Sequence, residues 1–144
     1  RANLGLSLSE ETPFEGSIRE NITFGDESIP DEIIYETFEK LGLIDFLKLQ
    51  SNGLNTILNP QGKQIAYTTS KKLILARAIV KRPKLLILDD PLENFNKIEA
   101  TKIVDFLSHK NQPWSLIVVS NNEYWKSKCN KHILLKDGNI VNNL

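Results

Sequence analysis

The chain has 144 residues, enough for one domain or a piece of one that buries roughly two-thirds of the surface its unfolded form exposes. Eighteen basic residues balance eighteen acidic ones, so no global field draws it to nucleic acid, which is not an expected partner. Cys129 is the single cysteine, which excludes an internal disulfide and a cysteine-based metal cluster, and no apolar run approaches the ~20 residues that span a bilayer.

Residues 4–8 alternate loosely and are read as a strand, followed by a polar turn around Glu10-Glu11-Thr12-Pro13. Ser17-Ile18-Arg19-Glu20 reads as a capping box that opens a short helix closing before Gly25. From Pro30 the spacing turns helical, with Ile34, Phe38 and Leu41 on one stripe and Asp31-Glu32 in the first turn, where negative charge is favoured. Gly42 ends that helix, residues 43–49 form a second shorter one, and residues 51–62 are expected to be a polar connection. Residues 70–81 are apolar on almost every side apart from their lysines and Arg77, as in a helix packed under its neighbours, and Arg82-Pro83 stops it. Lys71-Lys72 and the lysines of residues 126–131 are read as solvated faces, and Cys129 as a partly buried spectator.

The run Lys84-Leu85-Leu86-Ile87-Leu88-Asp89-Asp90-Pro91 follows at once, an apolar stretch that stops at two adjacent carboxylates. It describes a buried parallel strand delivering acid groups to its C-terminal end, outside which open α/β sheets bind their ligands. A helix over residues 97–109 buries Ala100, Ile103, Val104 and Leu107, and a second buried strand over residues 116–119 completes a β-α-β unit. At the end, Asp137-Gly138 suits a tight hairpin between Ile133-Leu134-Leu135 and Asn139-Ile140-Val141. His109 and His132 lack spaced partners, which argues against a metal site of their own. The fold class is α/β, a parallel sheet with an inserted helical subdomain and a C-terminal β-hairpin. With Arg1 first and no methionine, the chain is expected to be a segment of a longer polypeptide, soluble by itself.

Three blocks carry a resemblance: Phe14-Glu15-Gly16-Ser17-Ile18-Arg19-Glu20-Asn21-Ile22; residues 75–91, from Leu75-Ala76-Arg77-Ala78 to Asp89-Asp90-Pro91; and Leu134-Leu135-Lys136-Asp137-Gly138-Asn139-Ile140-Val141. In this order and spacing the chain resembles the C-terminal part of the ATP-binding cassette of ABC transporters, exporter type, over nearly its whole length. The resemblance implies a partial P-loop NTPase-like sheet, with a helical subdomain over about 26–82 and the α/β core in 1–25 and 83–144. It begins downstream of the family's phosphate loop, and no G-x-x-x-x-G-K-[ST] run is present. ATP and Mg are the implied ligands, but the chain alone lacks that cradle and is expected to be inactive alone.

Residue by residue, the resemblance puts Asp89 at the Walker B aspartate that reaches magnesium through water. Asp90 falls where most members carry glutamate to orient the attacking water. A carboxylate withdrawn by one methylene is misplaced by about 1 Å, which can cost about a hundredfold in rate. Asn121 takes the place of the switch histidine, and asparagine carries neither a positive charge nor a mobile proton. Ser9 aligns with the Q-loop glutamine and is too short for the same reach. Ile65-Ala66-Tyr67-Thr68-Thr69 stands where the signature L-S-G-G-Q is found, so Cβ atoms occupy the glycine positions that let backbone approach a phosphate held by an opposite cassette. Thr68, Thr69 or Ser70 is expected to cap the helix that follows. Glu93-Asn94-Phe95-Asn96 departs likewise from the S-A-L-D loop.

The implied partners are an exporter's transmembrane domain, docking around Phe14 and Arg19, and a second cassette, identical or different. The implied location is the cytoplasmic face of a membrane. Three functions follow: a transporter cassette that hydrolyses ATP weakly or not at all, a cassette-derived protein-interaction module that binds no nucleotide, and an active ATPase once joined to an upstream phosphate loop.

Overall fold

A computed structural model describes residues 3–141. The centre is a three-stranded parallel sheet of β1 (Leu4–Ser7), β4 (Leu85–Asp89) and β5 (Ser115–Val119), in the order β1-β4-β5. Leu6 lies opposite Ile87, and Ile87 opposite Ile117. Side chains alternate across a strand, and Gly5, Ser7, Leu86 and Leu88 face the interior while Leu4, Leu6, Ile117 and Val119 stay exposed on the other side. β4 begins and ends at the residues the apolar run marks.

The interior side is closed by helices. α1 (Ile18–Thr23) starts at the expected capping box: the Ser17 hydroxyl accepts from the Glu20 amide at 3.0 Å, and the Glu20 carboxylate accepts from the Ser17 amide at 2.7 Å. α2 (Asp31–Leu41) buries Ile34, Phe38 and Leu41, its i, i+4, i+7 stripe. It ends at Gly42, after which the Leu43 amide donates back to the Phe38 carbonyl at 2.8 Å. α3 (Ile44–Lys48) is the short second helix.

α4 (Tyr67–Ile79) lies directly on β1. A Cβ at Gly5 would stand 2.2 Å from the Ala78 carbonyl oxygen, so only glycine permits this approach of helix to strand. α5 (Lys97–Leu107) begins with Asn96 accepting from the Glu99 amide and buries the four residues of its expected face. All these helices share one apolar cluster with β4, including Ile22, Phe38, Leu75, Leu88 and Val104.

β6 (Leu134–Lys136) and β7 (Asn139–Val141) form the C-terminal hairpin, with positive φ at both Asp137 and Gly138 as its two-residue turn requires.

Five expectations are corrected. The second strand, β5, is not buried: Ile117 and Val119 are exposed on its open face, because no helix among the described residues covers that side of the sheet. The connection over 51–62 is not structureless: β3 (Ile57–Leu58) pairs antiparallel with β2 (Gly16–Ser17), flanked by single helical turns at Gly53–Asn55 and Pro60–Gly62. Two-residue strands about forty positions apart leave no local periodicity to read. α4 starts at Tyr67, three residues before the expected point. Its N-cap is Ala66, with no side-chain cap, so Thr68, Thr69 and Ser70 are already inside the helix. Lys71 and Lys72 are not solvated but 7% and 9% exposed.

Candidate functional site

The sheet's parallel strands all end at one edge of the molecule, and that edge gathers four of the candidate residues, Ser9, Asp89, Asp90 and Asn121. Asp89 closes β4 opposite Val119, Ser9 lies two residues beyond the Ser7–Leu88 pair, and Asn121 lies two beyond Val119. Alternation puts Asp89 on the face of Leu85 and Ile87, where it is half-buried. Its Oδ2 accepts from the Ser9 hydroxyl at 3.1 Å, a bond between groups eighty positions apart. The Asp90 amide donates to the Val119 carbonyl at 2.8 Å, prolonging the ladder by one bond. The chain then turns through φ 41° at Asp90, a left-handed conformation that aspartate tolerates better than most residues. Asn121 is exposed between Ser120 and Asn122, whose hydroxyl and amide bond each other locally. Ser9 and Asp89 are thus in contact; among the described residues neither Asp90 nor the Asn121 side chain has a hydrogen-bonded side-chain partner.

The segment Ile65 to Thr69 leads into α4 differently at each position. Ile65 packs on the core, Ala66 caps, and Thr68 and Thr69 are half-buried in the first turn. Tyr67 remains 45% exposed, and its hydroxyl donates to Glu93 Oε2 at 3.3 Å while the Lys71 ammonium lies 5.4 Å from the ring centre. Burial first, then the charge and hydrogen bonding of Glu93, push the phenol above its usual range. One aromatic side chain therefore links the start of α4 to the loop after β4.

Sequence reasoning missed Lys71. Its ammonium donates to the backbone carbonyls of Ser9 and, at 3.2 Å, Glu11. The signal was available: a helix apolar all round is buried all round, so its lysines must be buried too. Lys72, one position on, pairs with Glu99 of α5 at 2.7 Å.

Phe14, four residues before α1, and Arg19, in its first turn, both have internal partners. Phe14 stacks on Phe24 with centroids 6.0 Å apart, and the Arg77 guanidinium sits 5.3 and 4.8 Å from the two rings. Arg77 also donates to the Asn21 carbonyl at 2.6 Å and to Asn21 Oδ1 at 3.0 Å, and burial lowers its pKa. Asn21, fully buried, holds the Phe14 amide and carbonyl as well. Arg19 pairs with Asp31 and donates to the Ile29 carbonyl at 2.6 Å. Both remain partly accessible.

For a divalent cation the edge offers the Asp89 carboxylate and the Ser9 hydroxyl, and among the described residues no three acidic, histidine or cysteine side chains gather as a ligand set. That donor set suits magnesium only where phosphate and water oxygens complete the shell, the usual condition for this ion. No helix among the described residues is long and apolar enough to cross a membrane.

No family model matches the chain. Among curated proteins it is 28% identical over 143 residues to ABC transporter B family member 18 of Arabidopsis thaliana, covering 98% of this chain and 12% of that protein. It is 29% identical over 143 residues to the alpha-factor-transporting ATPase of Saccharomyces cerevisiae, covering 94% of this chain and 11% of that one. The chain thus spans about a tenth of these two relatives. A solved structure of a bacterial Atm1-family ABC exporter with ATP bound superposes with a TM-score of 0.85 at 18% identity, over 97% of this chain and 24% of the other, and that likeness establishes the fold.

Proposed function

From the premise that the homologues of this chain are ATP-binding proteins of ABC transporters, matched over nearly its whole length, we propose that it is the C-terminal part of an exporter's nucleotide-binding domain in which ATP hydrolysis is weak or absent. The observation that carries the reading is the Ser9–Asp89 contact at the C-terminal edge of a parallel sheet, where such folds bind ligands. Asp89 would hold magnesium together with phosphate oxygens; magnesium, when bound, would neutralise charge on the phosphates. The chain's own residues then explain weak turnover. Asp90 has a short side chain on a left-handed backbone, and Asn121 can donate a hydrogen bond but not relay a proton. Tyr67, bonded to Glu93, brings bulk and a neighbouring negative charge where backbone and a γ-phosphate would otherwise meet.

Residues 26–82 would then be the helical subdomain, and the exposed surface around Phe14 and Arg19, extended by Phe24, would meet the transmembrane domain at the cytoplasmic face of the membrane, beside a second cassette. Both rings of the stack lie against Arg77, but Phe24 is the more exposed, and Phe24→Asp, which sets a carboxylate beside that guanidinium, is expected to weaken assembly of the transporter while the cassette stays folded.

Titration of fluorescent ATP, with and without Mg, against the polypeptide that joins these residues to a phosphate loop tests the reading. Saturable binding with slow or no phosphate release is expected. Absence of binding would favour the interaction module, and brisk turnover abolished by Asp89→Asn would establish the active ATPase instead.

A further inference from the structure

Among the described residues Lys71 is a buried cation with no carboxylate partner. Its side chain belongs to a residue 7% exposed, and among the described ion pairs Lys72 takes Glu99 while Lys71 takes none. An ammonium in such a place must be compensated, because desolvating an unpaired charge is costly. Here the compensation is two carbonyl oxygens, of Ser9 and Glu11, and the face of Tyr67. Both carbonyls belong to one tight turn, which also closes on itself: the Glu11 amide donates to the Leu8 carbonyl at 3.2 Å, and the Glu11 carboxylate accepts from the Leu8 amide at 3.1 Å. Helix α4 therefore grips the turn that follows β1 from beneath, at its backbone, through a group that cannot leave without stranding a charge. On its other side the same turn is tied to β4 by the Ser9 hydroxyl on Asp89.

We infer that Lys71 is a positioning residue, a built-in latch that fixes the Leu8–Glu11 turn against α4 and, through Ser9, keeps one oxygen of Asp89 engaged without any metal or nucleotide. The geometry distinguishes this from ordinary helix packing. Lys72 joins two helices through a carboxylate and would act on stability in general, whereas among the described residues the Lys71 ammonium bonds the turn alone and lies against the Tyr67 ring. The consequence is that a cation approaching Asp89 meets an oxygen already in use, and the position of the turn is decided by the chain rather than by a ligand. This holds whether or not the nucleotide reading is correct.

Amide hydrogen exchange on the full chain, in EDTA and without nucleotide, tests it. In the parent the Glu11 amide is expected to exchange at least about tenfold more slowly than that of Asn111, whose amide is bonded only to the His109 ring in an exposed turn, as follows from two charge-assisted bonds behind the former. Lys71→Met, which retains the buried stem, is expected to speed exchange at Leu8 and Glu11 about tenfold while Leu88 and Val104 stay within twofold of the parent. Ser9→Ala is expected to do less, since the carbonyl bonds survive. Equal exchange of Glu11 and Asn111 in the parent overturns the proposal, and this arm needs no variant to fold. A Lys71→Met chain with Glu11 unchanged, or with Leu88 and Val104 loosened as much as Glu11, overturns it too.

Discussion

Helix α1 has six residues, as do the two strands of the β6–β7 hairpin taken together, but the two elements are held by different means. Helix α1 is too short to be stable by propensity. It is fixed by a reciprocal cap at one end, by Ile18 and Ile22 in the core, and by Asn21, which bonds two backbone groups of Phe14 and the guanidinium of Arg77. The hairpin has the right turn and the right pairing but no floor: Leu135 is 65% exposed, and Leu134 and Ile140 are also exposed. Local signals suffice to shape both elements, whereas only α1 is secured by distant ones. Two-stranded hairpins without a packed face are marginal in water.

The contrast makes graded predictions, measured as changes in unfolding free energy from urea titrations. Phe38→Ala, in the fully buried stripe of α2, is expected to cost about 4 kcal/mol through lost burial and the cavity left behind. Asn21→Ala is expected to cost about 3 kcal/mol, because it strands the Phe14 amide and removes an acceptor from Arg77; a cost under about 1 kcal/mol would mean that the aromatic stack alone holds α1. Ser17→Ala removes half of the capping box and is expected to cost about 1 kcal/mol. Ile140→Ser, on the exposed hairpin, is expected to stay within about 0.5 kcal/mol, and a larger loss would show that the hairpin has a packing partner in solution.

The smallest effect is electrostatic. Lys81, at 2.8 Å, and Ser28 hold the Asp26 carboxyl down at about 2, against 3.8 without them. A depressed carboxylate pKa gives stability that is complete above the unfolded value and lost as pH falls through the folded one. The contribution should therefore fade between about pH 4 and pH 2, and Asp26→Asn should flatten that part of the pH profile.

Much of the architecture was legible because it is written in short-range patterns. The stripe Ile34, Phe38, Leu41, the Ser17–Glu20 box, the run from Leu85 to Asp89 and the Asp137-Gly138 turn each need only neighbours within about seven residues to declare their periodicity or backbone demand. The site was legible as a list and not as an arrangement. Ser9, Asp89, Asp90 and Asn121 were all candidates, but only parallel pairing in the observed register shows that they emerge at one edge and that Ser9 touches Asp89. Phe14 and Arg19 were candidates for their surface and turn out to serve the interior as well.

Residue order alone decided where the longer helices and the strands β1 and β4 run and which stripe of α2 and α5 is apolar, because those follow from side-chain spacing along a local backbone. Folding in three dimensions decided the pairing of Gly16–Ser17 with Ile57–Leu58, the start of α4 at Tyr67 and the burial of Lys71 and Lys72. Each of these depends on groups brought together from far apart in the chain. A lysine's place in water or in the core is set by which carbonyls and carboxylates reach it, and for Lys71 those carbonyls lie some sixty residues away.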